Sequence, residues 1–143
     1  MLRQKDRYQL VTLLLKIANS INKSRNLHLR KLNLTSRQAD ILFYVSRHPD
    51  CTMTNLAIYM GCAHQTVQEV AKNMVHKRLL TMKKSKRDGR CQVIQLTRAG
   101  AKDLSAYSKR GIVTGVELVR GMSNQYQKLL LKLLIQCFNN LDV

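Results

Sequence analysis

Ala57, Gly61 and Val67, at fixed offsets from one another, constrain this chain more than any other feature. A small side chain at Ala57 lets two helices cross closely. Four residues later Gly61 falls just past the end of the first helix, where a left-handed backbone is needed and glycine adopts it most cheaply. Val67 then anchors the second helix, and Leu56, Met60, Cys62 and Val70 supply further buried positions. This is the steric pattern of a helix-turn-helix. Directly after it, Leu79-Leu80-Thr81-Met82 and Cys91-Gln92-Val93-Ile94-Gln95-Leu96 have strand-like composition. They flank a polar run, Lys83-Lys84-Ser85-Lys86-Arg87-Asp88-Gly89-Arg90, whose Asp88-Gly89 is a favoured tight-turn pair. The pattern predicts a two-stranded wing with a basic tip.

Around this core the chain reads as helical. Tyr8, Val11, Leu14, Leu15, Ala18 and Ile21 recur at helical spacing, predicting a first helix from about Gln4 to about Asn22, followed by an irregular basic link, Lys23 to Asn33. Thr35 or Ser36 can cap a second helix that ends near His48, before Pro49. Thr52 caps the third, and Ala63 or His64 opens the fourth. After Thr97 a long helix is expected to about Arg120, with Gly111 and Gly115 as weak points, then a break at Gly121 and a last helix capped by Ser123 that runs to about Asn140. That last helix is apolar almost all round: Tyr126, Leu129, Leu130, Leu131, Leu133, Leu134, Ile135, Phe138 and Leu141 leave only a narrow wet face. A chain this small cannot bury so broad a surface alone, so a second subunit is expected.

The ordered set Leu34-Thr35-Ser36-Arg37-Gln38, Leu56-Ala57, Thr66-Val67, Asp88-x-Arg90 and Leu96-Thr97-Arg98-Ala99-Gly100 resembles the MarR family of winged-helix regulators over nearly the whole chain. The resemblance implies a mainly α fold with a small β-wing, in which a winged helix-turn-helix core (34–97) is flanked by N- and C-terminal dimerisation helices (1–33 and 98–143) in a single domain. It also implies a homodimer built on those helices, with Tyr8, Val11, Leu15, Tyr126, Leu130, Leu134 and Phe138 as contacts. Its expected partner is double-stranded DNA carrying a pseudo-palindromic operator, with repression as the expected outcome. A small anionic or phenolic ligand relieving that binding is a further implication of the family. A constitutive architectural DNA-binding protein of the same fold and a cysteine-based redox regulator are the alternatives.

Composition agrees with a polyanionic partner. The 25 Lys and Arg stand against 8 Asp and Glu, a net charge of +17, which self-repels in a compact domain unless an opposite charge is near. The surplus is concentrated at Lys72, Lys77, Arg78, Lys83, Lys84, Lys86, Arg87 and Arg90, with Asp88 the one acid among them. On the fourth helix Val67, Val70, Ala71 and Met74 form the buried stripe, which leaves His64, Gln65, Gln68, Glu69 and Lys72 facing out. Gln can pair with adenine and Lys can reach phosphate or guanine. Candidate DNA-binding residues are therefore His64, Gln65, Thr66, Gln68 and Lys72, with Thr66 donating to phosphate or capping its own helix. Glu69 reads as a solvated partner of Lys72. In the wing, Lys83, Lys84 and Lys86 are candidate phosphate contacts. Asp88 can bridge to Arg90, holding Arg87 and Arg90 toward a narrow minor groove.

Other classes find little support. His48-x-x-Cys51 and Cys62-x-His64 resemble two halves of a zinc site, but about nine helical residues between them, at ~1.5 Å each, hold them about 13 Å apart. No metal or other cofactor is expected. Cys62 and Cys91 read as small buried apolar residues, Cys137 lies in the dimer-forming helix, and Cys51, in a loop expected to be exposed, leads any redox function. No nucleophile motif, glycine-rich phosphate loop or carboxylate pair supports an enzyme. The N-terminus lacks a secretory pattern and no apolar run is long enough to span a bilayer, so a cytoplasmic location is expected.

Overall fold

The computed structural model describes residues 1–141. In chain order its elements are α1 (Gln4–Lys31), α2 (Ser36–Arg47), β1 (Cys51–Thr52), α3 (Met53–Met60), α4 (His64–His76), β2 (Leu80–Lys84), β3 (Gln92–Leu96), α5 (Arg98–Leu118) and α6 (Asn124–Leu141). It is the mainly helical winged-helix arrangement that the sequence leads one to expect. Two compact units divide the chain, one from Met1 to Arg110 and one beginning at Gly111.

Local chemistry explains most boundaries. Thr35 and Thr52 each open a helix with a full capping box: the hydroxyl accepts the backbone N–H three residues on, and the side chain of Gln38 or Asn55 returns a bond to the cap's own N–H. Gly61 ends α3 at φ 60°, in the left-handed conformation expected of it. Ala63 starts α4 with no side-chain cap. Gly121, at φ 82°, breaks the chain before α6, and Ser123 Oγ accepts the Tyr126 N–H.

The first helix differs from expectation. It does not end near Asn22 but continues to Lys31, so the supposed irregular link is helix. No proline or glycine interrupts 23–31, and tertiary contacts secure it. Leu29 enters the core, Arg25 donates to the Tyr107 hydroxyl and to Asp40, His28 Nε2 bonds the Ala106 carbonyl, and Ser24 Oγ accepts from Arg110. Likewise α5 passes through Gly111 and Gly115 without interruption.

The wing is also larger than a hairpin. β1 adds to β3, giving a three-stranded antiparallel sheet of order β1-β3-β2, with Cys51 opposite Ile94 and Met82 opposite the same residue on the other side. Beneath it lies the core, where Ile41, Leu42, Leu56, Met74, Leu80 and Ile94 are fully buried and Met60, Cys62 and Val70 are half-buried against them. Thr97 closes the base of the wing. Its N–H donates to the Leu79 carbonyl, its hydroxyl donates to the Arg78 carbonyl, and the same oxygen accepts the Gly100 N–H at the start of α5.

Candidate nucleic-acid interface

The start of α4 and the wing face one open groove. His64 and Gln68 line it from the helix, Lys84, Arg90 and Cys91 from the hairpin, and Thr52 and Thr54 from the head of α3. Val67, Ala71 and Met74 are buried, which turns the opposite side of α4 outward and exposes His64, Gln65, Glu69 and Lys72, with Thr66 and Gln68 half-exposed. The sequence therefore places this face correctly. Gln65 and Lys72 are exposed on α4 but do not line the groove, and Thr66 is partly packed. The expected pairing of Glu69 with Lys72 is not among the ion pairs found, which include Arg3 with Asp6 and Arg25 with Asp40.

A second cleft on the wing gathers Lys83, Lys84, Lys86 and Arg87 beside Pro49, Asp50 and Gln95. The tip between the strands is braced by its own side chains. Ser85 Oγ accepts the N–H groups of Arg87 and Asp88, and Asp88 accepts the Arg90 N–H at 3.0 Å. The expected Asp88 to Arg90 bridge thus forms through the backbone and not through the guanidinium, and Arg90 is exposed. Thr54 and Gln92, which also line the groove, were missed as candidates: Thr54 stands next to a cap and Gln92 inside a strand pattern, and only the fold brings them to α4.

The cysteine expectations are revised. Cys51 lies in β1, not in an exposed loop, and is only 5% exposed. Burial pushes its thiol above the ordinary range, so the reactive thiolate is disfavoured there. Cys91, expected to be buried, is exposed at the wing, where its thiol lies 3.8 Å from an Asp88 carboxylate oxygen. Among the described residues, no group of three or more His, Cys, Asp or Glu is placed to hold a metal, and no helix is long and apolar enough to cross a membrane.

A helix-turn-helix followed by a sheet with a basic tip defines the class: this is a winged helix-turn-helix protein. Residues 32–90 match the model of the MarR family. Over that stretch, which runs from the turn before α2 to the tip of the wing, the chain is similar to the MarR family. Solved structures agree in fold. The S. aureus MepR–DNA complex is 21% identical, with a TM-score of 0.74 over 92% of this chain and 99% of that one. MarR is 21% identical, with a TM-score of 0.74 over 92% of this chain and 89% of that one. S. aureus MepR bound to ethidium bromide is 21% identical, with a TM-score of 0.72 over 92% of this chain and 96% of that one. No curated protein sequence matches this chain.

Proposed function

We propose that the protein is a homodimeric repressor that binds a pseudo-palindromic DNA operator through α4 and the wing. The observation that carries this reading is the shared groove, in which His64 and Gln68 of α4 face Lys84 and Arg90 of the wing. The two sides divide the work. Gln65, Gln68 and Lys72 reach base edges or phosphate in the major groove, while Lys83, Lys84, Lys86, Arg87 and Arg90 neutralise phosphates and enter the minor groove. Asp88 takes no DNA contact itself; it holds the tip by its bond to the Arg90 backbone. That MepR has been solved on DNA with the same fold supports the reading.

The dimer rests on α6, none of whose residues is buried and whose Leu131 and Phe138 are 62% and 68% exposed. On α1, Tyr8, Val11 and Leu15 are exposed as well. A second copy is the occupant that gives two α4 helices the two-fold relation a pseudo-palindrome requires. Release by a small anionic or phenolic molecule belongs to the same proposal.

Salt tests the polyanion. With about eight phosphates neutralised by a dimer, log affinity for duplex DNA should fall against log salt with a slope near about −7. A slope shallower than about −2 removes duplex DNA as the principal ligand. The architectural alternative differs in preference: a regulator should favour its selected site over random duplex by roughly a thousandfold or more.

A further inference from the structure

Among the described residues, Gln38 is the one polar side chain that is buried, at 6% exposure. It lies in the first turn of α2, and both ends of its amide are paired. Oε1 accepts from the Thr35 N–H at 3.1 Å and from Lys77 Nζ at 3.3 Å, and Nε2 donates to Asn73 Oδ1 at 3.2 Å. Lys77 Nζ also donates to the Asn33 carbonyl at 2.9 Å, which ties the end of α4 to the turn after α1.

Two kinds of contact therefore hold α4. Val67, Ala71 and Met74 press it onto the core, but apolar contact is non-directional and tolerates rolling. Hydrogen bonds weaken steeply when misaligned. Asn73 and Lys77 stand one turn apart on the same side of α4, so rolling the helix carries both away from Gln38 together. Rolling is also the motion that changes which of Gln65, Gln68 and Lys72 are presented to a duplex.

We propose that Gln38 is a positioning residue for sequence recognition: through Asn73 and Lys77 it sets the rotation of α4 about its own axis and so selects the side chains that meet base edges. The proposal rests on the duplex-binding reading above. Gln38 itself is buried and touches no DNA; it acts through α4.

The test uses the full chain. Preferred duplexes are first selected by the wild-type protein from a randomised pool, and affinity is then measured for a selected duplex and for its scrambled counterpart. Gln38→Leu keeps the volume and removes the bonds. Its helical circular dichroism and its affinity for scrambled duplex should stay within about twofold of wild type. Its preference ratio should fall at least about tenfold, the scale of one bidentate base contact. Gln38→Glu retains both accepted bonds, and the Asn73 amide, turned over, donates in place of accepting; this variant should keep most of the preference. Should Gln38→Leu not fold, Lys77→Met opens the network from α4. The same loss is expected there, read as a ratio so that any lost phosphate contact cancels. A folded Gln38→Leu or Lys77→Met protein with undiminished preference overturns the proposal, as does an equal loss in the Leu and Glu variants. A wild-type chain that binds no duplex, or selects no sequence, overturns the underlying reading instead.

Discussion

Gly100 carries the tightest steric constraint among the glycines, in the scaffold behind the proposed interface. A Cβ at this position would overlap the Leu79 carbonyl oxygen, an acceptor that Thr97 already uses, and backbone cannot swing aside as a side chain can. Gly100→Ala should therefore destabilise the fold by about 1–3 kcal/mol, the usual range for overpacking, visible as a lower Tm. An unchanged Tm would mean that α5 shifts without cost. Gly111 and Gly115, with open space around a potential Cβ, carry no such constraint. At this scale the sequence is informative where one residue's own chemistry decides: the φ of Gly61 and the caps at Thr35 and Thr52 were all legible. It is uninformative where a distant partner decides. The burial of Cys51 depends on β1 pairing with β3, and the exposure of Cys91 on the wing standing clear of the core.

Among the elements, α4 and the wing hold different chemistry and should separate under mutation. Arg90→Ala should weaken binding to the selected duplex and to A·T-rich random duplex alike. Gln68→Ala should cost ~1–3 kcal/mol on the selected duplex and relax preference at particular base pairs. Competition binding with both duplexes reads the difference; if neither substitution changes affinity, α4 and the wing do not face DNA as proposed. Helix length shows why element boundaries were only partly legible. Residues 23–31 mix bases with isolated leucines, a pattern that resembles a link, yet Arg25, His28 and Ser24 find partners on α5 and α2 that stabilise one more stretch of helix. Only the folded chain shows those partners. β1 is two residues long and exists only through its pairing, so no periodicity could have announced it.

For the whole molecule, the proposed dimer rests on the apolar surface of α6, none of whose residues is buried. Leaving such side chains in water forgoes roughly 25 cal/mol for each Å² that a partner would cover. Leu134 and Phe138 stand one turn apart, both exposed. Replacing both with Lys should convert a sedimenting dimer into a monomer of unchanged helical content and reduce operator binding to weak, salt-sensitive contact, because a single α4 cannot engage two grooves about 34 Å apart. A double variant that stays dimeric would place the interface elsewhere. The breadth of this apolar face was fully readable from the sequence, since α6 is apolar on nearly every side.

The clip that Thr97 forms at the base of the wing has a further consequence, for the evolvability of the chain. Because both ends of the hairpin meet at one fixed point, with Arg78 and Leu79 on one strand's approach and Thr97 on the other's exit, the tip is a cassette mounted on a finished frame. Doubling a flexible loop costs only ~0.6 kcal/mol of closure entropy, and insertions between Ser85 and Cys91 leave the strand ladder and the clip intact. Reach and charge at the tip can drift from one descendant to the next while the frame that carries it stays the same.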